Sequence, residues 1–215
     1  MKKVIVFDFD GTLCHSLPLV DKGFVDALTK YGTKEITGDE IKANFGPNEA
    51  GILYRLVGEK KSRDCFYEYL RSYYKHHDEY LKDFFPGIRQ LLEKLKVEGY
   101  TMYVLTGRSV ESLFISLTKL DAFKYFDDYY YGGFDGAIKD ELLLKLIKDH
   151  GLTKDEIIYV GDSIKDIEQC KKVGVKIISA AYDNFEKHDL IEELNPGMVA
   201  NSVEELENLI NKKCA

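Results

Sequence analysis

Residues 4–13 are VIVFDFDGTL, an apolar run that leads directly into Asp8, Phe9 and Asp10 and then a glycine. An unbroken Val/Ile/Phe run is typical of a strand buried on both faces of a parallel sheet. Two carboxylates this close repel each other, and at neutral pH they stay ionised only beside a cation or else share a proton. Hard divalent cations such as Mg²⁺ take oxygen ligands. We therefore expect a strand over residues 3–8 that ends at a cation site, the alternative being an acidic strand end that faces water.

Strands and helices alternate regularly in the later part of the chain. Apolar strand candidates occupy residues 100–105, about 129–131, 157–160, 175–178 and 198–200. Helices are expected over 86–99, from 109, over 140–150, over 164–174, and from the capping pair Ser202 and Glu205 onward. This alternation predicts an α/β fold with a doubly wound parallel sheet. In such sheets the ligand crevice lies outside the carboxyl ends of the strands, which is where Asp8 and Asp10 stand.

Residues 16–82 interrupt this alternation and indicate helices only. The expected helices are Leu17–Tyr31, a short one capped by Thr37 and Glu40, Pro47–Val57 and Ser62–Leu81. A helical block of this length between the first strand and the rest of the core is typical of an inserted domain. We therefore predict an all-helical cap domain over 16–82, inserted into a core formed by 1–15 and 83–215.

Composition limits the classes of partner. The chain has 215 residues and a formal net charge of −7, and nucleic-acid binding proteins usually carry a basic face, so no nucleic-acid partner is expected. No apolar run approaches the ~20 residues that a bilayer span needs, so we expect no membrane partner. The amino terminus meets Asp8 before a signal-peptide apolar region is long enough, and the expected localisation is therefore cytoplasmic. A small anionic substrate can still bind where a metal ion or a lysine offsets the negative field.

Further polar groups follow other predicted strands. Thr106 and Gly107 end the second core strand just before a helix amino terminus, which is a ready anion site. Asp162 ends another strand, with Asp166 one helical turn further on, and Lys139 stands just before a helix. Each has a plainer explanation by itself, as a turn residue, a helix cap or a solvated charge. Together they place carboxylates, a hydroxyl and a lysine at one edge of the sheet, a combination that favours a phosphate and metal site.

Four ordered motifs carry a resemblance to a known family: DFDGTL at 8–13, Thr106, Lys139, and Gly161-Asp162 with Asp166. This set resembles the motifs of the haloacid dehalogenase-like phosphatase superfamily, and the helical insert resembles the cap of its phosphoglycolate phosphatase and β-phosphoglucomutase branch. The resemblance implies a Rossmann-like core, Mg²⁺ as cofactor and phosphoryl transfer through an aspartyl-phosphate. The dehalogenases of the same fold lack an aspartate at the position of Asp10, so its presence favours phosphorus chemistry.

The resemblance implies chemical roles for the aspartates. Asp8 would be the nucleophile, and Asp10 the general acid and base that serves first the leaving oxygen and then the attacking water. Mg²⁺ would be held by Asp8, the backbone carbonyl of Asp10 and Asp162. Asp166 would orient Lys139 or a metal-bound water.

The same resemblance implies which residues bind the phosphoryl group. Thr106 and Lys139 would hold the oxygens over which charge spreads in the transition state, so both are predicted to be catalytic. The core would thus treat the phosphoryl group alike in every substrate. The predicted phosphate-binding set is Asp8, Phe9, Asp10, Thr106, Gly107 and Lys139.

Substrate specificity is expected from the insert, because the core contacts only the phosphoryl group. In NFGPNEAG, residues 44–51, a Gly-Pro turn precedes Asn48 and Glu49, which open a helix whose amides can face a ligand. Arg55, two turns along, could meet a second anionic group. The plainer alternative makes Asn48 and Glu49 helix caps and Arg55 a surface charge. His15 replaces the aspartate common at this point of the branch and is a candidate for pH-sensitive substrate entry or a tolerated linker change.

Three functions stay open from the sequence. The leading one is a Mg²⁺-dependent phosphatase that hydrolyses a small phosphorylated metabolite (phosphoglycolate-like, a sugar phosphate, a nucleotide or pyrophosphate). The second is a phosphomutase of the β-phosphoglucomutase type, which would return the phosphoryl group to a sugar. The third is a catalytically silent regulatory homologue, which the intact motif set disfavours. We expect a monomer or weak dimer whose partner is the small phosphorylated substrate.

Overall fold

The core of the molecule is a six-stranded parallel sheet. This computed structural model describes residues 4–31, 37–44, 46–136, 139–183 and 188–214. Lys3, where the first strand was predicted to begin, lies outside them. The strands are β1 (Val4–Phe7), β2 (Thr101–Leu105), β3 (Asp128–Tyr130), β4 (Ile157–Gly161), β5 (Lys176–Ala180) and β6 (Val199–Ala200). They lie in the order β3-β2-β1-β4-β5-β6, so the predicted doubly wound parallel sheet is confirmed.

β1 occupies the centre of the sheet, where Val4 pairs with Thr101 on β2 and with Ile157 on β4. The chain adds β2 and β3 on one side of β1, and β4, β5 and β6 on the other. The direction of winding therefore reverses between β1 and β4. Such a switch point opens a crevice at the carboxyl ends of the strands. Asp8 and Asp162 directly follow the two strands that border it.

The described residues form ten α-helices. They are α1 (Leu17–Tyr31), α2 (Gly38–Lys42), α3 (Glu49–Val57), α4 (Glu59–Tyr80), α5 (Ile88–Val97), α6 (Val110–Lys119), α7 (Lys139–Asp149), α8 (Ile164–Val173), α9 (His188–Leu194) and α10 (Val203–Cys214). The predicted helices are present with ends shifted by up to three residues, and α9 was not predicted. None of these described helices is both long and apolar enough to cross a bilayer.

Successive residues of β1 pack on opposite faces of the sheet, as the period of a strand requires. Ile5 and Phe7 belong to an apolar cluster that includes residues of α5, α6 and α10. Val4 and Val6 belong to a second cluster that includes residues of α7, α8 and α9. All four side chains are buried, and burying each contributes about 1.5–3 kcal/mol to stability. Both faces of β1 are therefore covered, which explains why its sequence is apolar throughout.

Helices α1 to α4 form the insert between β1 and the rest of the core. α1 and α4 pack closely, with the rings of Phe24 and Tyr69 4.9 Å apart between centroids. A Cβ on Gly23 would lie 2.7 Å from the Tyr69 ring, so the absence of a side chain there permits this approach. The hydroxyl of Ser72 donates to Asp26 at 2.6 Å across the same pair. That the insert, residues 16–82, acts as a separate cap domain stays a prediction.

Candidate active site

A cavity of about 200 Å³ lies where the carboxyl ends of β1, β2 and β4 meet the insert. The insert contributes apolar side chains, among them Val20, Phe24 and Ile52, and the core contributes most of the polar groups. The cavity therefore has a charged floor and an apolar cover. The predicted site residues that line it are Asp8, Asp10, Glu49, Thr106, Gly107, Lys139 and Asp162.

The turn after β1 packs tightly on the end of β4. Gly11 has a positive φ of 73°, and a Cβ on it would lie 2.2 Å from Oδ2 of Asp162. Only glycine combines that backbone conformation with this approach. The hydroxyl of Thr12 donates to Oδ1 of Asp162 at 3.2 Å. The DFDGTL motif thus positions the carboxylate of Asp162, which is distant from it in the sequence.

Asp8 is buried, and each of its carboxylate oxygens accepts a hydrogen bond. Oδ1 accepts the N–H of Phe9 at 2.8 Å, and Oδ2 accepts from Nζ of Lys139 at 2.7 Å. Burial raises the pKa of Asp8 to about 7, and the negative charges of Asp166 and Asp10 contribute, although Lys139 lowers it. The negative charge of Asp8 is therefore incompletely compensated, which a bound cation would correct.

Lys139 is the first residue of α7, and its ammonium group bridges two aspartates. Nζ lies 2.7 Å from Oδ2 of Asp8 and 2.7 Å from Oδ1 of Asp166. Burial lowers the pKa of Lys139, but the charges of Asp166 and Asp8 outweigh burial and raise it above the ordinary value. Asp166 also accepts hydrogen bonds from the Tyr159 hydroxyl and from the N–H and hydroxyl of Ser163. The structure thus contains the predicted contact through which Asp166 would orient Lys139.

Three carboxylates form a candidate metal site. Oxygens of Asp8, Asp162 and Asp166 all lie within 4.8 Å of one another. Burial, and after it the charge of Asp8, raises the pKa of Asp162 well above the ordinary value. When all three are ionised, the single charge of Lys139 leaves the cluster with two net negative charges. Oxygen donors with excess negative charge fit a hard divalent cation such as Mg²⁺.

The side chain of Asp10 lies outside this carboxylate cluster. Its Oδ1 accepts a hydrogen bond from the hydroxyl of Ser16, and its Oδ2 lies 3.6 Å from Nε of Arg108. The predicted metal ligand is the backbone carbonyl of Asp10, not its side chain. Asp10 itself lines the cavity. Thr106 and Gly107 line the same cavity. The Thr106 hydroxyl accepts from the N–H of Arg108 at 3.4 Å and keeps its own proton to donate.

Arg108 lines the cavity, although its place in the sequence did not mark it as a site residue. Its side chain is only 4% exposed and lies beside Asp10 and Glu49. The one indication of a site residue in the sequence was that Arg108 lies two residues after Thr106, just beyond the end of a strand. Arginine is seldom fully buried, and a sequence does not show which arginine is the exception.

Glu49, the first residue of α3, connects the insert to the core. Its Oε2 accepts the N–H of Ser109 at 2.6 Å, and its Oε1 accepts the hydroxyl of Ser112 at 2.5 Å. The hydroxyl of Tyr69 also donates to Oε1, at 3.3 Å. Ser109 is the N-cap of α6, so the carboxylate lies at a helix amino terminus, where negative charge is favoured. Glu49 lines the cavity, but protein donors already engage both of its oxygens.

The other predicted specificity residues are not among the described residues that line the cavity. Asn48 is the N-cap of α3, and its Nδ2 donates to the carbonyl of Gly132 in the core at 3.0 Å. Arg55 is exposed. His15 is exposed too, with Nδ1 2.8 Å from Oδ2 of Asp183. Asn48 thus has the geometry of the plainer alternative, and the selection of substrate by Asn48, Arg55 and His15 stays a prediction that this arrangement does not support.

We expect Glu49→Gln to lower the melting temperature by roughly 3–8 °C. An amide has one acceptor oxygen where the carboxylate has two, so its NH₂ group would face either the N–H of Ser109 or the hydroxyl of Ser112. Thermal unfolding followed by circular dichroism measures the loss. Glu59→Gln, at the exposed first residue of α4, is the matched control and should melt like the wild type. Equal melting temperatures for Glu49→Gln and wild type would show that this contact does not stabilise the fold.

Comparison with known proteins identifies the family. A sequence model of the haloacid dehalogenase-like hydrolases matches residues 5–180. The chain belongs to this family. A phosphoglycolate phosphatase of Aquifex aeolicus is 26% identical to this hydrolase, over 97% of the chain and 98% of the relative. A pyrophosphatase PpaX of Bacillus cereus is 25% identical, over 83% and 82%.

A solved structure shows the same fold. CbbY from Rhodobacter sphaeroides, in complex with phosphate, matches this hydrolase with a TM-score of 0.76 at 18% identity, over 96% of each chain. At this identity the likeness shows the fold alone. The family predicted from the motifs and the α/β fold class predicted from the strand–helix alternation are thereby confirmed.

Proposed function

We propose that this hydrolase is a Mg²⁺-dependent phosphatase that cleaves a small phosphorylated metabolite through an aspartyl-phosphate intermediate. The observation that carries the proposal is the buried carboxylate of Asp8, held 2.7 Å from the Lys139 ammonium group in a cavity at the strand ends. Relatives named phosphoglycolate phosphatase and pyrophosphatase support the same class of reaction.

Asp8 and Asp10 divide the chemistry between them. In the first step an oxygen of Asp8 bonds to phosphorus, the bond from phosphorus to the leaving oxygen breaks, and Asp10 gives that oxygen a proton. In the second step water attacks phosphorus, Asp10 takes a proton from the water, and the bond between Asp8 and phosphorus breaks. Inorganic phosphate leaves and both carboxyl groups return to their starting states. Covalent catalysis thus replaces one difficult hydrolysis with two easier displacements.

Lys139 and Thr106 would hold the phosphoryl oxygens during both steps. The Lys139 ammonium group carries a positive charge next to Asp8, and the Thr106 hydroxyl has a proton to donate. Groups fixed in advance around the phosphorus stabilise the charge that spreads over its oxygens in the transition state. Asp166 fixes Lys139 through a 2.7 Å hydrogen bond, so its own effect on the rate acts through the lysine.

The metal site would be completed by Asp8, Asp162 and the backbone carbonyl of Asp10. When bound, Mg²⁺ would neutralise the excess negative charge of the cluster and polarise a phosphoryl oxygen as a Lewis acid. Thr12 and Gly11 keep Asp162 in place for this role, since one donates to its carboxylate and the other leaves room for it. The donor set is made of oxygens only, which is the preference of this ion.

The cavity favours a small substrate. Its volume of about 200 Å³ is below the ~300–1,000 Å³ of pockets that hold drug-sized ligands. The insert supplies an apolar cover from Val20, Phe24 and Ile52, which would exclude bulk water from the aspartyl-phosphate. In this arrangement the site accommodates a phosphoryl group with a leaving group of a few atoms.

Phosphate release from a panel of substrates tests the proposal. We expect Mg²⁺-dependent release of inorganic phosphate from phosphoglycolate or pyrophosphate, with lower kcat/KM for sugar phosphates and nucleotides because of the cavity volume. Colorimetric phosphate detection measures the rates, and NMR of sugar phosphates detects any transfer between hydroxyl groups. Isomerisation of a sugar phosphate without phosphate release would identify a phosphomutase instead. Failure to process any substrate with Mg²⁺ present would reject the phosphatase assignment.

A further inference from the structure

Arg108 is a buried cation on the wall of the active-site cavity. It lies between the end of β2 and Ser109, the N-cap of α6. Its guanidinium carbon is 5.5 Å from the centroid of the Phe9 ring and 4.7 Å from that of Tyr73. Aromatic faces at such distances attract a guanidinium and restrict its orientation. Since Phe9 belongs to the core and Tyr73 to the insert, both parts of the molecule hold Arg108 in place.

Most of the hydrogen-bonding capacity of Arg108 is unused. Nη1 donates to the Ser116 hydroxyl at 3.4 Å. Nε and Nη2 are buried and find no hydrogen-bond acceptor among the described residues. The guanidinium has five N–H donors and stays charged in proteins, and buried charged donors without acceptors are rare in native structures. Such a group indicates an anionic partner that the protein itself does not supply.

The two carboxylates nearest to Arg108 lie beyond hydrogen-bond distance of its Nε atom. Nε lies 3.6 Å from Asp10 and 3.7 Å from Glu49, which permits attraction but exceeds hydrogen-bond distance. Glu49 already accepts from Ser109 and Ser112 on the α6 side. Burial opposes the charge of Arg108, but the charge of Asp10, with Glu49 contributing, raises its pKa above the ordinary value. The guanidinium is therefore charged, and its free N–H groups remain for a ligand.

Lys139 and Arg108, the two cationic side chains among the described cavity residues, lie beside different aspartates. Lys139 contacts Asp8, the proposed nucleophile, whereas Arg108 lies next to Asp10, the proposed proton donor to the leaving oxygen. The transferred phosphoryl group would therefore occupy the Lys139 side. The leaving group would face Arg108.

We infer that Arg108 binds a second anionic group on the leaving group, so that the enzyme selects small phosphate compounds with an oxyanion close to the scissile bond. The inference rests on the proposed phosphatase function. A carboxylate or a second phosphoryl group matches the planar fork of the guanidinium, which can donate two parallel hydrogen bonds. The cavity volume of about 200 Å³ requires that this oxyanion lie within a few bonds of the transferred phosphorus.

A matched pair of substrates tests the inference. Phosphoglycolate carries a carboxylate at the position where 2-hydroxyethyl phosphate carries an uncharged hydroxymethyl group. Pyrophosphate carries a second phosphoryl group as its second anion. For the wild type we expect kcat/KM for phosphoglycolate or pyrophosphate to exceed that for 2-hydroxyethyl phosphate by about 100-fold or more. Arg108→Gln should reduce this ratio to below about 5-fold, and Arg108→Lys, which keeps the charge but not the fork, should give an intermediate ratio.

The ratio of kcat/KM values is the readout, because partial misfolding of a variant lowers all substrates alike and leaves their ratio unchanged. Arg71→Gln, at a 77% exposed side chain of α4, is the matched control and should keep the wild-type ratio. Preference for phosphoglycolate would identify a carboxylate as the second anion, and preference for pyrophosphate a phosphoryl group. Either result supports the inference.

Two results would overturn the inference while the proposed function stands. One is a wild type that hydrolyses 2-hydroxyethyl phosphate as efficiently as both substrates with a second anion. The other is an Arg108→Gln variant that keeps the wild-type ratio. If none of the three compounds is hydrolysed, the phosphatase proposal and this inference both fail.

Discussion

Asp8→Asn is expected to reduce kcat by about 10⁴-fold or more while the protein stays folded. The amide is nearly isosteric with the carboxylate but is not a nucleophile, so no bond to phosphorus can form. Its oxygen can still accept the N–H of Phe9, and Lys139 keeps its hydrogen bond to Asp166. The amide loses the contact with Lys139, but it also removes a buried charge that Asp166 and Asp10 repel, so the two effects offset each other and the variant should stay folded.

Trapping of the intermediate distinguishes loss of the nucleophile from general damage. Wild-type protein quenched during turnover of a ³²P-labelled substrate should carry label that hydroxylamine releases, and Asp8→Asn should carry none. Asp64→Asn, at an exposed position of α4, should be labelled like the wild type. Near-normal turnover by Asp8→Asn, or hydroxylamine-sensitive label on that variant, would rule out Asp8 as the attacking group.

Removal of divalent ions is expected to abolish phosphate release, and Mg²⁺ or Mn²⁺ should restore it. The cluster contains the carboxylates of Asp8, Asp162 and Asp166 but only one ammonium group, that of Lys139. Without a bound cation its net charge is therefore negative, and it repels a phosphate ester. Ca²⁺ takes more ligands at longer distances than Mg²⁺, and it should therefore occupy the site without supporting turnover. Steady-state assays after chelation, with each ion added back, measure these effects.

Thermal stability provides a second measurement of the metal site. A cation that binds only the folded state raises the melting temperature by mass action, so Mg²⁺ should stabilise the wild type. The rise should be lost in Asp162→Asn and retained in Asp155→Asn, whose side chain is exposed. Full activity after thorough chelation would defeat the metal assignment, whatever the melting temperatures show.

The sequence predicted most of the fold because its signals were local. The apolar run of β1 and the strand–helix alternation are properties of neighbouring residues, and they led to the parallel sheet that the structure contains. α9 was missed because seven residues give too short a stretch for a helical period to be recognised. Residues at the strand ends were also predictable, since parallel strands bring their carboxyl ends to one edge.

The cavity wall around Arg108 was harder to predict. Arg55 and Arg108 are the same residue type, yet one is exposed and the other is buried between Phe9 and Tyr73. That difference depends on contacts between the core and the insert, which no local pattern records. Glu49 lines the cavity, and the sequence did not show that its oxygens accept from donors at the start of α6. Tertiary contacts decided both outcomes.

Because β1 lies between two strands that come later in the sequence, it cannot pair until those strands have been translated. Val4 pairs with Thr101 and Ile157, so β1 waits for both neighbours until the chain has been translated through β4. At ordinary rates of translation this wait lasts roughly 8–30 s. During it, VIVF is an unpaired apolar segment of the kind that aggregates, and charges that flank such segments oppose aggregation. We expect the aspartates that follow β1 to act as such flanking charges in the nascent chain.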